Sequence, residues 1–136
     1  MIFKIPDFDI NAISIQGKGL KKLLVVCSKE EFSEVEQTTL QKMITAIKYD
    51  FENDIFLVVL EKDQRTSLSA LQLNYIDLLV FGINPENLGF NIEYTLNEIL
   101  YFDQSRALIL DSIKDIKAIP AKSQQLWSLL QKMFLT

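Results

Sequence analysis

Histidine is absent from the 136 residues, and cysteine occurs once, as Cys27. Without histidine there is no Ser-His-Asp or Cys-His catalysis, no His-ligated zinc or haem, and no ordinary neutral-pH general base. One cysteine supports neither a disulfide scaffold nor a thiolate zinc or iron–sulfur site. Glycine is scarce, with four residues, and no glycine-rich phosphate loop is present. The nearest string, Gly17-Lys18-Gly19-Leu20-Lys21-Lys22, lacks the GxxxxGK[ST] spacing and precedes a strand instead of following one. It reads as a flexible basic joint. No apolar run reaches the roughly 18 residues that a membrane span needs. The opening MIFKIPDFDI lacks a basic segment followed by an apolar one, so no signal peptide is expected and the expected location is cytoplasmic.

What is there suits one globular domain. The chain is 49% hydrophobic and 24% charged, enough to build a core without disulfides or metals. Fourteen Lys+Arg face eighteen Asp+Glu, a net charge of −4. Direct nucleic-acid binding requires many neutralised phosphates, so it is not expected. The charge is uneven: residues 29–63 hold nine acidic and four basic side chains, whereas 104–136 hold two acidic and five basic ones. Ordinary solvated surface explains this most simply; a mildly basic docking face is the sharper alternative.

Residues 1–22 carry apolar side chains spaced by twos and threes, interrupted by Pro6 and two glycines. They predict either an edge strand or an extended arm whose anchors are Phe3, Ile5 and Phe8. Residues 23–136 read as a single α/β domain. Leu23-Leu24-Val25-Val26-Cys27 is a buried-strand pattern, followed by Ser28-Lys29-Glu30-Glu31, a capping-box string. A helix is predicted over 29–49, with Phe32, Val35, Leu40, Met43, Ile44 and Ile47 on one face. Residues 55–60 and 76–82 are further buried strands, and 92–96 alternates as a possible extra edge strand. The segments 97–102 and 106–111 read as a hairpin across a short polar loop. A short turn through Lys117 and a helix over 121–134 close the chain. The pattern predicts an α/β fold with a mixed central sheet of about five strands. The expected core includes Leu24, Val26, Leu40, Ile44, Phe56, Val58, Leu79, Phe81, Leu108, Leu110, Leu126 and Leu130.

No catalytic constellation, metal site or cofactor site is visible, so the chain is not expected to be an enzyme. Trp127, beside an apolar helical stripe, most simply packs in the core; its alternative is an interface anchor. Cys27 reads as a small buried residue. Asn84 and Pro85 follow the third buried strand, where α/β sheets place ligands. They read first as a capped turn, and otherwise as part of a pocket. Gly82-Ile83-Asn84-Pro85 is also similar to the G-x-N-P string of some uracil-DNA glycosylases. Asp63, Asp77, Asp103 and Asp111 stand at strand ends with no pairing spacing.

Two stretches carry a family likeness. One is Leu24-Val25-Val26-Cys27-Ser28-Lys29-Glu30-Glu31-Phe32 with its helix and the next strand; the other runs from Leu110-Asp111-Ser112-Ile113-Lys114-Asp115-Ile116 through Ala121-Lys122 to Leu126-Trp127. In these, over about residues 23–134, the chain resembles the psi subunit of bacterial DNA polymerase III, an accessory protein of the clamp loader. The resemblance implies a three-layer α/β/α sandwich akin to the uracil-DNA glycosylase fold. It also implies a non-catalytic adaptor in DNA replication, linking the clamp loader to a chi-like subunit. The alternatives are a small hydrolase or glycosylase-like enzyme with a site near Asn84, or a scaffold protein with another partner.

Overall fold

The computed structural model describes residues 14–61, 65–90, 93–102 and 104–135. In chain order the elements are β1 (Ser14–Gln16), β2 (Leu23–Ser28), α1 (Glu34–Ala46), β3 (Ile55–Leu60), β4 (Asp77–Phe81), β5 (Ile99–Phe102), β6 (Ser105–Leu110), α2 (Ile113–Ala118) and α3 (Pro120–Phe134). Single 3-10 turns occupy Lys29–Glu31, Leu68–Leu71 and Pro85–Leu88. The strands form one sheet in the order β1-β3-β2-β4-β6-β5. Its four inner strands are parallel, while β1 and β5 run antiparallel to their neighbours. The α/β class and the mixed sheet thus hold, with six strands among the described residues.

The inner strands are apolar throughout because both faces of the sheet are covered. Side chains alternate along β2: Leu23, Val25 and Cys27 join one core, Leu24 and Val26 the other. The first core contains the buried side chains of α1, α2 and α3, among them Leu40, Ile44, Ile116, Leu126 and Leu130. The second is closed by Leu68, Ile83 and Leu88 from the loops and 3-10 turns. Among the described residues, the covering layer on that second face therefore consists of turns, not α-helices. Connection handedness explains the segregation. From β2 the chain moves to β3 through α1; it then reverses direction to β4 and on to β6. Right-handed crossovers in opposite directions must lie on opposite faces. The later crossovers use the second face, and α2 and α3, following β6, return to the first. Of the expected core residues all are buried except Phe56, which is partly buried against the second cluster.

Several local expectations are corrected. The helix expected over 29–49 starts at Glu34 and ends at Ala46. Ser28 forms no helix cap, and its hydroxyl donates instead to the Glu30 carboxylate at 2.8 Å. Phe32 leaves helical geometry at φ −126°, ψ 64°. The same S-x-x-E spacing recurs at Ser33 and Glu36, where the hydroxyl donates to the carboxylate at 2.9 Å and the helix begins. At the far end Lys48 takes φ +67°, so the helix stops without a glycine signal. Val35 is exposed rather than core. Residues 93–96 form no strand.

The expected flexible joint at 17–22 is a clamp. The amides of Lys18, Gly19, Leu20 and Lys21 donate to the carbonyls of Glu52, Ile55, Asn53 and Asp54 at 2.9–3.1 Å. Two glycines permit this approach. A Cβ on Gly17 would collide with the Ile55 carbonyl, and one on Gly19 with the Phe56 ring; both have positive φ. Of the predicted arm or edge strand, 14–16 is an edge strand on β3. Phe3, Ile5 and Phe8 lie outside the described residues.

Cys27 is in the first core, and burial pushes its thiol far above the ordinary range. The thiolate is the reactive form. Native protein at pH 8 should therefore label with a thiol-specific disulfide reagent only as fast as the core opens. Prompt stoichiometric labelling of folded protein would contradict this placement. The folded state holds the Cys27 proton more tightly than the unfolded chain. This contribution is complete below the unfolded pKa of about 8.5 and is lost as pH rises above it. Tyr49 and Tyr75, both raised by burial first, add to the alkaline loss above about pH 10.

Among the described residues, no helix is long and apolar enough to cross a membrane.

Candidate functional site

In a sheet ordered β3-β2-β4-β6, the chain reverses direction between β2 and β4. The crevice at the carboxyl ends near such a reversal is where α/β proteins place ligands. Here β4 ends at Phe81 and Gly82 follows with φ +69°, its amide donating to the Leu110 carbonyl at 2.9 Å. That bond continues the β4–β6 ladder one step and turns the chain outward. An open cleft of about 290 Å³ lies one strand over from that reversal, between the carboxyl ends of β4 and β6, lined by Gly82, Asn84, Tyr94, Leu96, Asp111 and Asp115 among others.

The polar groups of this cleft have local duties. Asn84 caps the 3-10 turn, its Oδ1 accepting from the Glu86 amide at 3.0 Å. Pro85 occupies the first turn position and is buried, and Gly89 closes the turn at φ +86°. The capped turn expected from Asn84 to Gly89 is therefore present. Asn84 lines the cleft, but Pro85 is buried and does not line it. Ser112 caps α2 by accepting from the Asp115 amide at 3.2 Å. Asp111 pairs with Lys122 at 3.2 Å, joining the end of β6 to the first turns of α3. Asp115 sits in the first turn of α2, where a negative charge suits the unpaired amides. The cleft does bring two carboxylates alongside Asn84, which the spacing of the acidic residues did not reveal. The Ser-x-x-Asp spacing of Ser112 and Asp115 marks this cap in the sequence.

The other acidic residues are elsewhere. Asp77 is buried at the opposite, amino end of β4 and accepts from Arg106 Nε at 2.9 Å. Asp63 and Asp103 lie outside the described residues. Among the described residues no group of three or more His, Cys, Asp or Glu side chains is arranged to hold a metal ion.

Trp127 is not core. It is 39% exposed on α3, whose buried stripe is Leu126, Leu130 and Met133. One position round the helix from Leu126, it falls at the edge of the stripe and meets solvent. Large apolar side chains also stand exposed around β5: Tyr94, Leu96, Tyr101 and Phe102. The chain matches no protein-family model and no curated protein.

Proposed function

We propose that this chain is a non-catalytic protein-interaction subunit of the psi type, acting in DNA replication in the cytoplasm and binding a clamp-loader or chi-like protein. The observation that carries the reading is how side chains are spent. At the carboxyl ends of the strands, Asn84, Ser112 and Asp111 serve caps and an ion pair. At the surface, large apolar groups such as Trp127 and Tyr101 are left to solvent, as protein-binding surfaces leave them. The acidic balance supports a protein partner over nucleic acid. Phe3, Ile5 and Phe8 are further proposed anchors.

The test is co-purification of the tagged full chain from its native cell extract. Clamp-loader or chi-like subunits should be recovered, and deletion of residues 1–9 should abolish recovery while leaving the melting temperature unchanged. Recovery of no replication protein at any salt concentration would refute the replication role, and a marked fall in melting temperature would refute the arm.

A second reading has one observation in its favour, the cleft holding Asn84, Asp111 and Asp115. It predicts base release from uracil-containing single-stranded DNA, lost in Asn84→Ala. No release by the wild-type chain removes the glycosylase form of this reading.

A further inference from the structure

Residues 66–105 contain no lysine or arginine, over forty consecutive positions. They contain five acidic residues, Asp77, Glu86, Glu93, Glu98 and Asp103. The rest of the chain holds all fourteen cations and the other thirteen acids, a net of +1, so this one segment carries the whole negative balance. It builds β4, the 3-10 turn after it, and β5. Asp77 is neutralised by Arg106. Glu86, Glu93 and Glu98 are exposed.

Among the described residues, β5 is an edge of the sheet. Its outward hydrogen-bonding groups follow from the register. Arg106 donates its amide to the Ile76 carbonyl, on the β4 side, whereas the Ile109 carbonyl accepts from Asn97, on the β5 side. Bonding direction alternates along β6, so residues 105, 107 and 109 serve β5 while 106 and 108 serve β4. Tyr101 and Ile99 lie opposite Arg106 and Leu108. Their amides and carbonyls therefore point away from β6, toward the open edge.

Edges are normally blunted by shortness, lysine, proline, a bulge, an inward charge or a covering loop, and of these β5 has shortness, at four residues. Residues 93–102 contain no lysine and no proline, and β5 pairs with β6 in unbroken register over its four residues, before which Asn97, at φ +64°, donates to Ile109 one position out of that register. Tyr101 is 69% exposed on one side of this edge and Phe102 is exposed on the other. Beside Leu100 lies an open depression lined by Glu93, Tyr94 and Thr95. Its make-up, a carboxylate and an aromatic ring over an aliphatic floor, suits the stem and charge of a lysine or arginine.

We propose that the β5 edge receives an extended, basic segment of a partner protein as a seventh strand. Its backbone bonds to Ile99 and Tyr101, and its cationic side chains lie toward Glu93 and Glu98. Charge selects this occupant. A nucleic acid would be repelled by the segment, and a second copy would bring an equally acidic, cation-free strand against it. Main-chain bonding supplies affinity in such strand addition, and alternate side chains supply specificity. The proposal rests on the interaction reading above only in taking the chain to bind protein. Co-purification tests the replication partner and amide protection tests the edge, so each can fail alone.

The probe is an acetylated, amidated octapeptide of alternating lysine and valine, added to the isotope-labelled full chain. The Ile99 and Tyr101 amides should gain at least about tenfold protection from hydrogen exchange. Methylating alternate peptide amides should abolish that protection. Replacing both Glu93 and Glu98 by glutamine should weaken binding about fivefold, with less dependence on salt. Unprotected Ile99 and Tyr101 at saturating peptide would overturn the proposal. So would equal binding of a glutamate–valine octapeptide, or concentration-dependent self-association that protects the same two amides.

Discussion

Replacing Phe81 by alanine is expected to remove about 3–5 kcal/mol of folding stability. Phe81 ends β4, is 1% exposed, and is among the largest fully buried side chains. It belongs to the cluster shared by α1, α2 and α3, so its loss opens a cavity that several packed elements cannot fill together. Domains are stable by only about 5–15 kcal/mol, so the variant should unfold at markedly lower denaturant with an unchanged slope. Trp127→Ala is the comparison. Despite a larger ring, its exposed position limits the expected cost to below about 1 kcal/mol. Equal costs for the two would place Trp127 in the core and contradict the structure.

The second large effect is expected at Arg106. Its Nε donates to Asp77 at 2.9 Å, its Nη1 donates to the Met133 carbonyl at 2.7 Å, and its guanidinium lies 5.6 Å from the Phe134 ring centre. Phe134 packs edge-on against Tyr49, and Lys21 lies over the other ring at 4.7 Å. Thus one side chain fastens the last turn of α3 to the amino end of the sheet. Arg106→Ala strands the buried Asp77 carboxylate and frees a helix-end carbonyl. Allowing for the partial exposure of the arginine, the expected loss is about 2–4 kcal/mol. Asp77→Asn in the same chain should recover part of it, because the stranded charge is gone. A double-mutant cycle measures the coupling; a coupling near zero would show that the pair does not hold the helix. Amide exchange should rise first near the end of α3.

The inner strands were legible in sequence because burial on both faces leaves near-continuous apolar runs, as in Ile55–Leu60. The C-terminal helix was legible from Pro120 and from the spacing of Leu126, Leu130 and Met133. The start of α1 was not, because the S-x-x-E spacing occurs twice within nine residues and only tertiary packing selects the second. Its end was hidden because lysine, not glycine, takes the left-handed position at 48. The clamp at 17–22 was misread because glycine marks both mobile chain and close backbone approach, and the sequence does not say which. At the cleft, Asn84 and its turn were visible through Pro85 and Gly89. Asp111 and Asp115 were not, because β6 and α2 reach the cleft only through strand pairing distant in the chain.

The sheet order has a consequence for how the chain is made. β1, β3 and β2 all come from residues 14–60, whereas β4, β6 and β5 all come from residues 77–110. The two groups meet along one ladder, from Leu23 opposite Asp77 to Cys27 opposite Phe81. During synthesis the first group, with α1, can assemble before β4 leaves the ribosome. Until then, the wholly apolar run from Leu23 to Cys27 presents an open edge, the kind of strand most prone to wrong pairing. The sixteen residues between β3 and β4 therefore set how long the nascent protein stands half-built.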